Sequence, residues 1–325
     1  MHEAAPFLDA LADAPEGSRA VWIEAADGVR LRMAHFPSGQ TGDAARGTVL
    51  LFPGRTEYVE KYGRTARDFA EFGLDTVSID WRGQGLADRL LPDERTGHVV
   101  EFRDYQRDVA ALLDAARSMD LPEPYFLLAH SMGGCIGLRS LMEGLPVHAA
   151  AFTGPMWGIR IAAFLRPVAW ALGWSGSRMG LGHVYAPGTR PEAYVVAEAF
   201  EKNMLTTDTD MFDYMRRQVE AEPKLQLGGP SLHWLHEALA ECFALARRPS
   251  PDLPCLTFVG SNERIVDVGR IRSRMQNWPG GRLEIVEGGE HEVLMDRPAV
   301  RRQIAEAIAR HFLDAPERAA AAASA

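Results

Sequence analysis

Short apolar runs alternate with amphipathic stretches along most of this chain. Residues 21–24 and 29–33 flank Asp27-Gly28, which predicts a β-hairpin. The run 48–52 is apolar and stops at Pro53-Gly54, and a helical pattern follows over 60–72. Residues 76–80 form the next strand candidate and end in Trp81-Arg82-Gly83-Gln84-Gly85. Over 105–119, Val109, Leu112, Leu113 and Ala116 share one helical face. Further strands are predicted at 125–129, 149–153, 254–259 and 283–286, with a helix after the first of them and after each of the last two. Continuous apolar strands alternating with helices imply an α/β fold: a mostly parallel sheet of about eight strands, covered by helices on both faces.

Residues 155–230 break the alternation. They hold helical patterns such as 191–202 and 211–220, and they read as a helical insertion after the sixth core strand. The expected division is a core of 1–154 and 231–317, a helical cap of 155–230, and a disordered tail of 318–325.

The most informative stretch is Phe126-Leu127-Leu128-Ala129-His130-Ser131-Met132-Gly133-Gly134. A buried-strand pattern stops at a serine, glycines stand two and three residues on, and a helical pattern begins. This is nearly the G-x-S-x-G nucleophile elbow, with Ala129 in the first glycine slot. A plain N-cap serine is the simpler reading. The strand before, the helix after and the partners downstream favour Ser131 as an exposed nucleophile. Gly133, Gly134 and Gly137 lie at helical spacing and would let the helix approach the sheet.

A serine hydroxyl needs a base. Of ten histidines, only His291 follows a strand end in a Gly-flexed loop, Glu287-Gly288-Gly289-Glu290-His291. The acid that orients it is expected after the seventh strand, where Glu263 and Asp267 both stand. Glu263 is nearer the strand end and is favoured; Asp267 opens a helical pattern and has a good N-cap reading. No carboxylate follows the sixth strand at Thr153-Gly154-Pro155. The order Ser131, Glu263, His291 is the one expected of this architecture. Acyl transfer also needs two donors for the oxyanion. The backbone N–H groups of Met132 and Arg55 are the candidates. The Arg55 side chain reads first as a surface partner of Glu57, and second as a contact for a phosphate group.

Composition narrows the partners. The 325 residues are 46% apolar and 24% charged, with a formal charge of −9, which argues against nucleic acid. Three widely spaced cysteines show no metal or disulfide pattern, so a reducing compartment is expected. Residues 1–20 carry Glu3, Asp9, Asp13 and Glu16 and no basic leader, and no apolar run has the length of a membrane span. A cytoplasmic enzyme without metal or organic cofactor is the expectation.

The chain resembles the serine α/β-hydrolases, and more closely the monoacylglycerol lipase and bacterial lysophospholipase L2 group. The residues that carry this are Phe52-Pro53-Gly54-Arg55 with Glu57 and Lys61-Tyr62, Asp80 to Gly85, Gly97-His98-Val99, and His130 to Gly134. Asn203-Met204-Leu205-Thr206, Leu227-Gly228-Gly229-Pro230-Ser231, Gly260 to Arg264, and Glu287 to His291 continue the match. Two departures stand out. The acid position carries Glu263 where the family commonly has Asp, and the oxyanion loop reads Pro53-Gly54-Arg55 where monoacylglycerol lipases usually show His-Gly. The resemblance implies a helical cap over the site and a small-molecule acyl ester substrate, a lysophospholipid or a monoacylglycerol. A proline-iminopeptidase-like peptidase or an acyltransferase on the same fold are the enzymatic alternatives. A non-catalytic small-molecule receptor is the alternative of another class. The apolar run 156–174 reads either as a lid that lines an acyl pocket and touches membrane transiently, or as a cap helix packed on the core. Asp80 and Arg82 are expected to tie loops together, and His98 to be buried and satisfied.

Overall fold

The structure is a computed structural model that describes residues 2–161, 174, 176 and 178–315. Among the described residues the sheet has nine strands in the order β1-β2-β3-β5-β4-β6-β7-β8-β9. These are β1 (Ala4–Ala5), β2 (Arg19–Glu24), β3 (Arg30–Phe36), β4 (Thr48–Phe52), β5 (Asp75–Asp80), β6 (Tyr125–His130), β7 (Ala150–Thr153), β8 (Cys255–Gly260) and β9 (Gly281–Val286). The pairs β1/β2, β2/β3 and β3/β5 are antiparallel, and every pair from β5 to β9 is parallel. The strand beyond the eight expected is β1, a two-residue edge piece that pairs Ala4 with Val21. So short a segment has no periodicity to read.

The apolar runs are continuous because both faces are covered. In β4, Leu50 and Phe52 enter one core cluster, while Val49 and Leu51 enter the other. In β6, Leu127 and Ala129 face the first cluster, and Phe126 and Leu128 the second. Helices α3 (Tyr105–Ser118), α4 (Ser131–Met142), α7 (Leu232–Ala246) and α8 (Val268–Gln276) supply the first cluster. Helices α6 (Thr209–Ala221) and α9 (Pro298–Leu313), with Phe69 of α2 (Gly63–Ala70), supply the second. A short α1 (Asp9–Ala12) precedes β2.

The helical pattern over 191–202 resolves into a single turn, α5 (Tyr194–Ala197), and a 3₁₀ turn, Phe200–Lys202. The Arg216 side chain donates to the carbonyls of Val195 and Glu198, taking acceptors that a continuous helix would use itself. In the apolar run 156–174, Met156 and Trp157 are core residues, and Trp157 stacks on Trp278. Residues 162–173, including Phe164 and Leu165, lie outside the described residues, as does the tail 318–325. Among the described residues no helix is long and apolar enough to cross a membrane.

Strand order reverses at β4: the chain runs from β4 to β5 on one side, then returns to β6 on the other. Ligands in such sheets bind at the carboxyl ends of the strands beside this reversal. Phe52 pairs with Ala129, so Pro53-Gly54-Arg55 leaves the sheet next to His130-Ser131. The loops after β8 and β9 emerge along the same rim.

Candidate active site

Ser131 stands at the first position of α4 with φ +48°, a left-handed conformation that costs a non-glycine residue about 1–2 kcal/mol. The turn is held because helix and sheet meet at glycines. A Cβ on Gly133 would lie 2.2 Å from the Phe52 carbonyl oxygen, and one on Gly134 2.6 Å from the Pro155 Cβ. The Ala129 methyl is accommodated opposite Gly137, where an added Cβ would be 3.2 Å from it. This explains how alanine fills a slot that usually holds glycine.

The structure brings Ser131, His291 and Glu263 together from three loops. The Ser131 hydroxyl donates to His291 Nε2 at 2.9 Å, and His291 Nδ1 donates to Glu263 Oε2 at 2.6 Å. The other Glu263 oxygen, Oε1, accepts from the amides of Ile265 at 2.6 Å and Val266 at 3.1 Å. The extra methylene of glutamate thus lets one carboxylate bind the imidazole and cap its own loop. Burial would raise the Glu263 pKa, but the His291 contact and the two amides outweigh it and hold the carboxyl below its usual range. Asp267 is elsewhere: it is the N-cap of α8 and accepts from the Arg270 amide.

Among the described residues, the Met132 and Arg55 amides have no hydrogen-bond acceptor, and Met132 lies in the first turn of α4, whose dipole is positive there. The loop that carries Arg55 is clamped at three points. Trp81 Nε1 donates to the Pro53 carbonyl at 2.9 Å, and Gln84 Nε2 to the Gly54 carbonyl at 2.9 Å. The Gly54 amide donates to Glu57 Oε2 through the turn at Thr56, itself left-handed with φ +65°.

Glu57 belongs to a buried charge cluster that periodicity does not reveal. Lys61 Nζ bridges Glu57 Oε1 and Glu292 Oε2, each at 2.6 Å, and Tyr62 donates to Glu57 at 2.5 Å. His130 Nε2 lies 3.6 Å from Glu57, while His130 Nδ1 donates to the Thr153 carbonyl at 2.9 Å. The cluster joins the loop after β4, the serine turn and the histidine loop. The spacing of Glu57 and Lys61, and the position of Glu292 directly after His291, were the available signals. Glu57, His130 and Glu292 offer atoms close enough for a metal, but the Lys61 ammonium already bridges the two carboxylates. The expected Arg55–Glu57 pair does not form, because Glu57 is bound to Lys61, Tyr62 and Gly54. Arg55 instead donates to the Gly228 carbonyl at 2.7 Å.

Burial pushes His130 down to about 3 from an ordinary 6.5, so its imidazole stays neutral. Glu57 is lowered to about 2: burial opposes its charge, but the Lys61 ammonium beside it and the hydrogen bonds from Lys61 and Tyr62 favour it more strongly. Both folded-state values lie below the unfolded ones, so the stability they carry is present at neutral pH and is lost on acidification. The window runs from 6.5 to about 3 for His130, and from 4.5 to about 2 for Glu57. Urea unfolding from about pH 6 to about pH 4 should therefore show the wild type losing about 1.4 kcal/mol per pH unit more than His130→Asn. Coincident slopes would show that His130 does not titrate differently on folding.

Asp80 and Arg82 do tie loops. Asp80 accepts from Arg32 and from the amides of Val59 and Leu86, and Arg82 bridges Asp108 and Asp27. His98 is half-buried rather than buried, with Nδ1 2.8 Å from Ser231 Oγ.

A cavity of about 350 Å³ opens at Ser131 and His291. Its lining is mainly apolar, with Met156, Ile159, Met204, Met215, Leu225 and Ile265 among its walls. The segment that carries Met204 and Leu205 contacts the histidine loop directly: the His291 and Glu292 amides donate to their carbonyls at 3.3 and 2.8 Å.

Comparison with known proteins agrees with this geometry. Residues 43–298 match the family described as Serine aminopeptidase, S33 (Hydrolase_4). Lysophospholipase L2 of Escherichia coli (strain K12) is 34% identical over 277 residues, covering 81% of this chain and 79% of that protein. The probable lysophospholipase L2 of Haemophilus influenzae is 29% identical over 286 residues, covering 87% of this chain and 89% of that protein. In fold, a soluble variant of monoglyceride lipase from Saccharomyces cerevisiae, solved with a substrate analog, superposes with a TM-score of 0.70 at 18% identity, covering 90% of this chain and 94% of that one. The chain belongs to the Hydrolase_4 family, Serine aminopeptidase S33, and is a serine α/β-hydrolase.

Proposed function

We propose that this protein is a cytoplasmic carboxylic-ester hydrolase of single-chain acyl lipids, lysophospholipids or monoacylglycerols, working through an acyl-enzyme. The observation that carries the reading is the Ser131–His291–Glu263 chain of hydrogen bonds at the mouth of an apolar cavity. Ser131 attacks the ester carbonyl while His291 Nε2 takes its proton. Glu263 holds the imidazole in the tautomer with hydrogen on Nδ1 and stabilises its cationic form. The tetrahedral oxyanion lies between the Met132 and Arg55 amides, each worth about 10²–10³ in turnover. His291 returns its proton to the leaving glycerol oxygen, then activates the water that cleaves the acyl-enzyme.

The cap is the described part of residues 155–230, from which Ile159, Tyr194, Met204, Met215 and Leu225 line the cavity that takes the acyl chain. Exposed Trp174, Met179, Leu181 and Val184 give the cap an apolar outer surface suited to brief contact with a lipid interface. The aminopeptidase activity in the family's description is the less favoured reading. A free amino terminus needs a carboxylate, and the two that line the cavity among the described residues, Glu57 and Glu292, are both bound to Lys61.

The test is a panel of lysophospholipids, monoacylglycerols, short p-nitrophenyl esters and aminoacyl amides, compared by kcat/KM. One of the two lipid classes should lead the panel. Aminoacyl amides in the lead would replace this reading with a peptidase.

A further inference from the structure

Among the described residues the cavity is lined by two cations, Arg55 and Lys61, and Lys61 is the neutralised one. Lys61 lies between Glu57 and Glu292. Arg55 has no carboxylate within ion-pairing distance among the described residues; its polar contact is a single bond from NH1 to the Gly228 carbonyl, at 2.7 Å. Its guanidinium carbon sits 5.7 Å from the centre of the Trp234 ring. A guanidinium carries five donors, so most of the fork is left for a ligand.

The setting of this side chain is built rather than incidental. The strips 97–99 and 228–231 run together: the Gly97 amide donates to the Gly229 carbonyl at 3.0 Å, and the Ser231 amide to the Gly97 carbonyl at 2.8 Å. This places the Gly228 carbonyl on Arg55. Glycine at 97 leaves room for the guanidinium, since a Cβ there would lie 3.1 Å from NH1. Glycine at 228 is required by the Arg190 and Pro191 carbonyls, each 2.6 Å from where its Cβ would stand. Burial without a nearby counter-charge lowers the Arg55 pKa to about 10, which still leaves it cationic at neutral pH. A half-buried cation beside a mainly apolar cavity is better stabilised once an anion joins it.

We propose that the Arg55 guanidinium is the anion subsite of this cavity, and that it takes the phosphate of a lysophospholipid headgroup while the ester lies at Ser131. The inference rests on the ester-hydrolase reading above and chooses between its two lipid classes. Covalent geometry supports it: the Arg55 amide is the proposed oxyanion donor, and Arg55 lines the same cavity as Ser131 and His291. In a lysophospholipid the ester and the phosphate are likewise a few bonds apart, on one glycerol.

The experiment measures kcat/KM for a lysophosphatidylglycerol and for the monoacylglycerol with the same acyl chain, and reads their ratio. Arg55→Gln keeps the backbone N–H, so any change at the oxyanion affects both substrates and divides out. The ratio should fall at least about 30-fold, mainly through a higher KM for the lysophospholipid. Arg55→Lys should recover part of it, because charge is kept and the fork is lost. Gly97→Ala should lower the ratio with Arg55 still present, by displacing the guanidinium. A ratio that stays within about threefold in Arg55→Gln overturns the proposal while leaving the ester-hydrolase reading intact. A wild type that hydrolyses neither lipid overturns both. Inorganic phosphate is the second arm. A headgroup site predicts little effect of millimolar phosphate on monoacylglycerol turnover. Inhibition that disappears in Arg55→Gln, with the lipid ratio unmoved, assigns the site to free phosphate and overturns the headgroup.

Discussion

Alanine at position 131 is expected to lower ester turnover by about 10⁶-fold, with little change in fold. The hydroxyl is the one atom through which an acyl-enzyme forms. Without it, the imidazole and the carboxylate have no nucleophile to serve. What remains is direct attack of water on an ester polarised by the Met132 and Arg55 amides, which retains about 10³–10⁴ over solution. Stability should move by less than about 1 kcal/mol. The Ser131–His291 bond is part-buried, and alanine tolerates φ +48° no worse than serine does. Kinetics and thermal unfolding on the same preparation check both halves. A variant that keeps more than a hundredth of wild-type kcat would show that the reaction runs elsewhere.

The second large effect separates the two acidic candidates. Glu263→Gln should lower kcat by about 10³–10⁴-fold, whereas Asp267→Asn should leave it unchanged. The argument is one of donors and acceptors. Glu263 Oε1 accepts two amide hydrogens, from Ile265 and Val266, while Oε2 accepts the His291 Nδ1 hydrogen. A glutamine has a single acceptor oxygen. The two amides claim it, so the NH₂ group faces His291. The ring must then accept at Nδ1 and carry its hydrogen on Nε2, where it can no longer take the proton of Ser131. The glutamine amide does not titrate, so raising the pH cannot restore the variant. Asparagine caps a helix as well as aspartate does, so Asp267→Asn should also be nearly neutral for stability. A collapse in Asp267→Asn alone would move the acid to that position.

Much of this was legible in the chain itself, and for identifiable reasons. Strands buried on both faces are mostly apolar, so β4, β6, β7 and β8 announce themselves. A serine in a left-handed turn against the sheet needs small neighbours, which exposes the Phe126-to-Gly134 stretch. The loop after β8 is short and the loop after β9 carries Gly288-Gly289, so Glu263 and His291 could be placed near strand ends. Contacts between distant segments have no such signature. The Arg55–Gly228 bond spans 173 residues, and sequence spacing suggested the nearer Glu57 instead. The Glu57–Lys61–Glu292 cluster has one pair at helical spacing and a third member brought in only by the histidine loop. The 191–202 segment has helical periodicity, but the Arg216 side chain from α6 takes two of its carbonyls.

The most direct test is to label the protein with a fluorophosphonate and locate the adduct by peptide mass. One adduct per chain, on Ser131, with labelling lost in Ser131→Ala and slowed in Glu263→Gln, is the predicted result. An adduct on another residue, or a folded wild type that does not react, would contradict the claim that His291 and Glu263 activate this serine.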